Sequence, residues 1–245
     1  MNRTTAALGA AALAAAALLV PTTATAHAAD CDPDAVLVDG LGFSQDVAVG
    51  TTKTKTLTLE VYTDASCTVT GAKATVHAPR RTTVVELTQV GTANGMVHWR
   101  GSLAIKPSAL RNSDAGTWPT TYRVSGEHPD QLTVDHHVRR ASRVSFNAGS
   151  EPVTGTTITY TGKLERASWD SDRYRGWSHR VDLYEEFSDS EDSDLLATPT
   201  SGSDGRYRVT QRYRGPGEYS ANVLGTSTTA RSHSRTDRVT TPLPR

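Results

Sequence analysis

Thr56-Leu57-Thr58-Leu59-Glu60-Val61-Tyr62 decides how this chain is read. Leu57, Leu59 and Val61 fall at every second position, with polar side chains and Tyr62 between them. Side chains on a strand alternate between faces, so this stretch buries one face and wets the other. The same period recurs outward from it. Val97, Trp99, Leu103 and Ile105 alternate with His98, Arg100, Ser102 and Ala104, and Trp118, Tyr122 and Val124 alternate with Thr121, Arg123 and Ser125. Beyond residue 140 the pattern continues with Val144 and Phe146, Ile158 and Tyr160, Val181, Leu183 and Phe187, Tyr207 and Val209, and Tyr219, Ala221 and Val223. Asn94-Gly95, Asn112-Ser113-Asp114, His128-Pro129-Asp130 and Gly215-Pro216-Gly217 punctuate the runs as turns. No stretch of the folded part carries a helical period. Short alternating strands with regular turns predict an all-β protein of two tandem immunoglobulin-like antiparallel β-sandwiches, about seven strands each. The boundary is placed at Arg139-Arg140, giving domains over residues 30–139 and 140–240 and a disordered tail over 241–245.

The first 29 residues stand outside this pattern. Arg3 precedes an apolar Ala/Leu run from Ala6 to Val20, Pro21 ends it, and Ala26-His27-Ala28 fits a signal-peptidase site. A run of about 15 residues is short for a membrane span, which needs roughly 20. A cleaved signal peptide over residues 1–29 and a secreted, extracellular product without a membrane anchor are therefore expected. The chain of 245 residues carries 26 basic and 26 acidic side chains. That balance offers no electrostatic case for nucleic acid. Cys31 and Cys67 are the two cysteines, and outside the cytoplasm such a pair reads as one disulfide. A strand near Ala35–Asp39 pairing antiparallel with Lys55–Tyr62 brings the two together, so the bond pins the N-terminal strand rather than joining the sheets.

Arg143-Val144-Ser145-Phe146-Asn147-Ala148, Glu151-Pro152-Val153, Tyr174-Arg175-Gly176-Trp177, Asp204-Gly205-Arg206-Tyr207 and Gly225-Thr226-Ser227-Thr228-Thr229-Ala230 carry a resemblance. Together they resemble a repeat of secreted actinobacterial Ig-like β-sandwich proteins of largely undefined role, over about residues 140–240. The resemblance implies fold and export and adds little about activity. The chain departs from it at Gly149-Ser150, where a proline usually precedes Glu-Pro-Val, and in the acidic run Ser188–Asp194. In the first half, Asp114-Ala115-Gly116-Thr117-Trp118 resembles the Asp-x-Gly-x-aromatic corner of Ig-like domains, with Trp in place of Tyr.

Three constellations could carry chemistry. Asp189, Glu191, Asp192 and Asp194 are hard oxygen ligands on an expected hairpin loop, the donor type calcium takes, although EF-hand spacing is absent. The bland reading is a solvated acidic loop. Trp169, Tyr174 and Trp177 could stack on a sugar or grip a partner, or simply pack within the sandwich. Arg206, Arg208 and Arg212, with Arg214 continuing the spacing, form a stripe that could meet anionic wall polymers. Cross-strand pairs with Asp182 and Glu186 would explain the stripe without a ligand. His136 and His137 are adjacent on a strand and point to opposite faces, so they cannot share a metal. No catalytic frame such as His-Glu-x-x-His or a nucleophile elbow is present. The reading is a secreted non-enzymatic Ig-like protein, an extracellular binding or structural module whose partner could be a protein, wall polymer or glycan. The alternatives are a calcium-dependent structural protein and an unrecognised hydrolase.

Overall fold

In the computed structural model, the structure describes residues 31–32, 36–37, 44–149, 157–187 and 193–240. The expected signal peptide and the tail beyond residue 240 lie outside them. The first half forms seven strands: β1 (Asp46–Val49), β2 (Lys55–Asp64), β3 (Val69–Ala78), β4 (Arg81–Ala93), β5 (Met96–Ile105), β6 (Gly116–Gly126) and β7 (Asp130–Arg140). They follow the order β1-β7-β6-β3-β4-β5-β2. Long β4 belongs to both layers. Residues 81–87 pair with β3 and residues 88–93 pair with β5, with a register shift between Gln89 and Gly91 inside the β5 pairing. The β4–β5 turn carries Asn94 at φ 53° and Gly95 at φ 73°. Both residues have the positive φ that a two-residue hairpin turn requires, and Asn and Gly adopt it most easily.

The second half holds β8 (Ser142–Asn147), β9 (Thr157–Ser168), β10 (Arg173–Gly176), β11 (Asp182–Phe187), β12 (Ser193–Ala197), β13 (Arg206–Arg212), β14 (Gly217–Val223), β15 (Ser232–His233) and β16 (Asp237–Val239). One sheet runs β10-β9-β13 with β8 on β9; the other runs β12-β11-β14-β15 with β16 on β14. Both halves repeat one connectivity. In the first, β2 pairs β5 while β3 pairs β6 and β6 pairs β7; in the second, β9 pairs β13 while β11 pairs β14 and β14 pairs β16. With the four-residue β10 left out of the count, both halves pair second with fifth and third with sixth in separate layers, the Greek key of immunoglobulin sandwiches. The fold is thus all-β, two tandem Ig-like sandwiches.

The alternation produces the cores. Leu57 and Leu59 are fully buried, joined by Ala74, Val76, Trp118, Tyr122 and Val138. Ile158, Tyr160, Leu164, Leu183, Tyr219 and Ala221 centre the second core. Each such large apolar side chain contributes about 1.5–3 kcal/mol on burial. Exposed ion pairs such as Arg143–Glu165 at 2.8 Å contribute about 1 kcal/mol or less, so packing dominates stability. Cys31 and Cys67 form a disulfide across a Cα–Cα distance of 4.7 Å. Leu37 bridges Thr63 antiparallel, and the Asp64 amide donates to Val36 O at 3.0 Å. The bond therefore ties the N-terminal segment to the turn after β2.

The two cores meet. Only Ala141 separates β7 from β8, and backbone bonds hold that crossing on both sides. The Ala141 amide donates to Val49 O at 2.8 Å, the Ala167 amide to Ala141 O at 2.8 Å, and the Ala230 amide to Arg140 O at 2.9 Å. Ala167 and Trp169, from the second half, belong to the first hydrophobic cluster.

Candidate functional site

The three aromatic candidates are placed for packing within the sandwiches, the second of the two readings their sequence allowed, rather than as a ligand platform. Trp169 is 3 % exposed and Trp177 is 6 % exposed. Trp169 acts as a key in the seam: its indole N–H lies 3.2 Å from Val49 O and 3.0 Å from Gly50 O, both in the first sandwich. Its own amide donates to Asn112 Oδ1 at 2.9 Å, while the Asn112 side-chain amide donates to Ser168 Oγ at 3.2 Å. Trp177 stacks on His179 with ring centroids 4.3 Å apart. The half-buried Tyr174 ring is covered by the Arg143 guanidinium at 4.2 Å. Buried rings with their faces occupied have none to offer a sugar, so the glycan-stacking version of the binding reading is withdrawn.

Aromatic corners recur in both sandwiches at equivalent places: β6 pairs β3 and β7, and β14 pairs β11 and β16. Trp118 of β6 donates its indole N–H to Asp114 O at 2.8 Å, and Tyr219 of β14 donates its hydroxyl toward Gly215 O at 2.8 Å. Each reaches back four residues. The glycine starting each corner strand is Gly116 or Gly217, so Asp114-Ala115-Gly116-Thr117-Trp118 and Gly215-Pro216-Gly217-Glu218-Tyr219 form an internal repeat. Its second copy was not recognised in the sequence, although the Gly-x-aromatic spacing was available. In the first corner the Asp114 carboxylate, 2 % exposed, takes Arg80 at both oxygens, at 2.7 and 2.6 Å, and the Arg111 amide at 2.7 Å. The Arg80 hydrogen bond holds its carboxyl below the usual range.

Alternation put Leu183 and Phe187 inward and passed over Glu185, which shares their parity. Glu185 is 1 % exposed. Its Oε1 lies 2.6 Å from the Tyr219 hydroxyl, and Oε2 has no hydrogen-bond partner, with Arg214 Nη1 at 3.8 Å. Burial raises its pKa. Tyr219 faces two acceptors with a single proton. That proton is shared between Glu185 Oε1 at 2.6 Å and Gly215 O at 2.8 Å. Asp182, expected on the wet face, is also buried and is held by Arg180 at 2.6 Å.

Of the calcium candidates, Asp189, Glu191 and Asp192 lie outside the described residues. Asp194 lies on β12 opposite Glu185, and its carboxylate is 3.5 Å from Arg214 Nη1. Arg214 is thereby engaged with these acids and does not continue the arginine stripe. Among the described residues, no three His, Cys, Asp or Glu side chains gather as a metal site.

The stripe itself needs a second correction. Arg206, Arg208 and Arg212 lie on β13, in the β10-β9-β13 sheet, whereas Asp182 and Glu186 lie on β11 in the opposite sheet. They cannot form cross-strand pairs. Arg206 faces Asp204 at 3.5 Å with both side chains mostly exposed, and Arg208 and Arg212 have no acidic partner among the described residues. The sheet's outer face forms an open concavity of about 620 Å³ lined by Ser145, Asn147, Thr161, Lys163, Arg206 and Arg208. A similar concavity of about 630 Å³ on the first sandwich is lined by Gln45, Thr58, Glu60 and Arg100. There the charges cancel, because Arg100 bonds Glu60 at 2.5 Å.

His136 is fully buried, its Nδ1 accepting the Gln45 amide at 3.2 Å and its Nε2 lying 3.1 Å from the Tyr122 hydroxyl. Burial holds its pKa down at about 4. Hydroxyl–imidazole contacts occur at Thr82–His77 and Thr117–His137, both exposed. Neither includes a carboxylate among the described bonds, so neither forms the hydroxyl–imidazole–acid relay of a hydrolase.

No protein-family model matches the chain, and no curated protein matches it. Among solved structures, the D00–D0 domain pair of Intimin is similar at 15 % identity and TM-score 0.30, covering 80 % of this chain and 96 % of that one. The D0–D1 pair of Intimin is similar at 12 % identity and TM-score 0.28, covering 82 % and 96 %. At these values the likeness supports no functional argument.

Proposed function

We propose that this protein is a secreted, non-catalytic module whose two Ig-like sandwiches act as one stiff body, presenting sheet faces to a partner outside the cell. The observation that carries the reading is the seam. Trp169 inserts from the second sandwich into the core of the first and donates to two of its carbonyl groups. Domain pairs default to relative motion unless their interface is large and apolar. A shared core with a one-residue crossing fits a protein that works by holding surfaces in fixed relation. Export is supported by the leader-like first 29 residues and by the disulfide. No helix of the described residues is long and apolar enough to cross a membrane.

Fractionation of the native host, with mass spectrometry of the protein's N-terminus and thiols, tests this reading. It predicts an oxidised chain beginning near Asp30 in the medium or wall fraction. A full-length, reduced chain in the cytosol would overturn it.

A further inference from the structure

Among the described residues, the outer face of the β10-β9-β13 sheet carries more basic than acidic side chains. Three rows cross it. Arg206 aligns with Lys163 and Ser145, Arg208 with Thr161 and Asn147, and Arg212 with Thr157. Two of the cations have acidic neighbours: Lys163 bonds Glu165 at 2.7 Å, and Arg206 lies near Asp204. Arg208 and Arg212 have none among the described residues, and the opposite sheet holds the acids that could have balanced them. Along the strand the three arginines are separated by about 7 and 13 Å. Guanidinium groups present a planar fork suited to carboxylate and other oxyanions. The concavity of about 620 Å³ at the Arg206 and Arg208 rows also offers Ser145, Asn147 and Thr161, polar groups able to meet hydroxyls, and Arg212 lies further along the same strand beyond its lining.

We propose that this face binds an acidic polysaccharide, with Arg208 and Arg212 as its principal anion contacts and Arg206 as a third. Charge complementarity selects a polyanion. Arginines about 7 and 13 Å apart on one strand suit a polymer bearing many acidic groups, because several weak contacts act together. The hydroxyl- and amide-lined floor favours a polymer bearing hydroxyls. Tyr207 is buried and Phe146 half-buried, so the face lacks the exposed aromatic platform that single-stranded nucleic acid stacks upon. The inference rests on the exported-module reading and names the partner class for one of its faces. A bland alternative exists, since β13 pairs only with β9 among the described strands and charge on an edge strand deters aggregation.

The test uses the oxidised exported chain and immobilised polyuronate, with neutral dextran and polyphosphate as comparison polymers, over a salt series. The proposal predicts binding to polyuronate at low salt, no retention on dextran, and polyuronate preferred over polyphosphate. The double variant Arg208→Ser/Arg212→Ser should weaken polyuronate binding by about tenfold or more and flatten its salt dependence. Lys53→Ser/Lys106→Ser removes equal charge from exposed sites in the first sandwich and should change affinity less than about twofold. Circular dichroism confirms that both variants are folded. Equal losses in the two variants, preference for polyphosphate, or no binding at low salt would overturn the proposal, the last leaving the arginines as guards of an edge. None of these outcomes bears on where the native protein resides, so the localisation reading stands or falls separately.

Discussion

Acidification should weaken the first sandwich through one side chain, His136. Its ring is fully buried on β7, with Nδ1 accepting the Gln45 amide and Nε2 near the Tyr122 hydroxyl. Protonation places a second N–H on Nδ1, donor against donor, inside an apolar core. Asp135 favours the charged ring and His137 opposes it, but burial dominates and holds the pKa at about 4 against 6.5 in an unfolded chain. Because the folded value is depressed, the neutral ring's contribution is complete above pH 6.5 and is lost as pH falls towards 4. One pKa unit corresponds to about 1.4 kcal/mol, so integrating between pH 7 and 4.5 gives a loss of about 2 kcal/mol from this residue. Urea-dependent hydrogen exchange in peptides from β6 and β7 reports the first sandwich alone. Asp114 and Asp64 also have depressed values, so the native chain should lose more than the His136 share. The comparison that isolates it is His136→Gln, whose stability should fall by about 2 kcal/mol less over the same interval. Parallel pH dependences in the two proteins would refute the reasoning.

Other expectations follow from the same chemistry. Asp114→Ala strips both Arg80 contacts and the Arg111 amide bond; because the Arg80 side chain is 46 % exposed and rehydrates, the cost should be about 2–3 kcal/mol rather than the 3–5 of a fully enclosed pair, and a chemical melt showing under half of that would contradict the corner's role. Glu185 has the opposite sign to His136: its raised value makes its contribution greatest below the unfolded carboxylate range and erodes it as pH rises through the folded value. Glu185→Gln should therefore leave the second sandwich at least as stable as native at pH 8 and flatten its pH response, read by exchange in β11 and β14; marked destabilisation at pH 8 would show an ionised, favourable Glu185–Arg214 pair instead. For the acidic segment, Asp194 already faces Arg214, so 1 mM calcium against chelator should shift the second transition by less than about 2 °C. A rise of about 4 °C or more, abolished by Asp192→Asn/Asp194→Asn, would revive the calcium reading.

The alternation around Leu57 and Leu59 was legible because period two is local: each residue's face follows from its neighbours. The turn at Asn94-Gly95 was legible for the same reason. What needed the fold was every statement about which strand lies beside which. Arg206 and Asp182 looked like cross-strand partners because both sit on alternating strands, yet the Greek-key connection sends β11 and β13 to opposite sheets. Trp169 and Trp177 looked like loop aromatics because their segment is rich in Asp and Ser, and only the seam shows Trp169 reaching Val49 and Gly50, more than a hundred residues earlier. Glu185 could have been found, since strict parity with Leu183 and Phe187 turns it inward. A charged residue on an apolar face was passed over in favour of its tidier neighbours.

The claim that the two sandwiches form one body is tested most directly by pulsed electron–electron spin resonance between labels at exposed Thr92 and exposed Arg231, in the oxidised chain and in Trp169→Ala. The seam predicts one narrow distance distribution for the native protein. In Trp169→Ala, which loses the shared ring and both carbonyl bonds, it predicts a broadened distribution while exchange shows both sandwiches still folded. A native distribution already as broad as the variant's would contradict the account, reducing the pair to two independent sandwiches in contact.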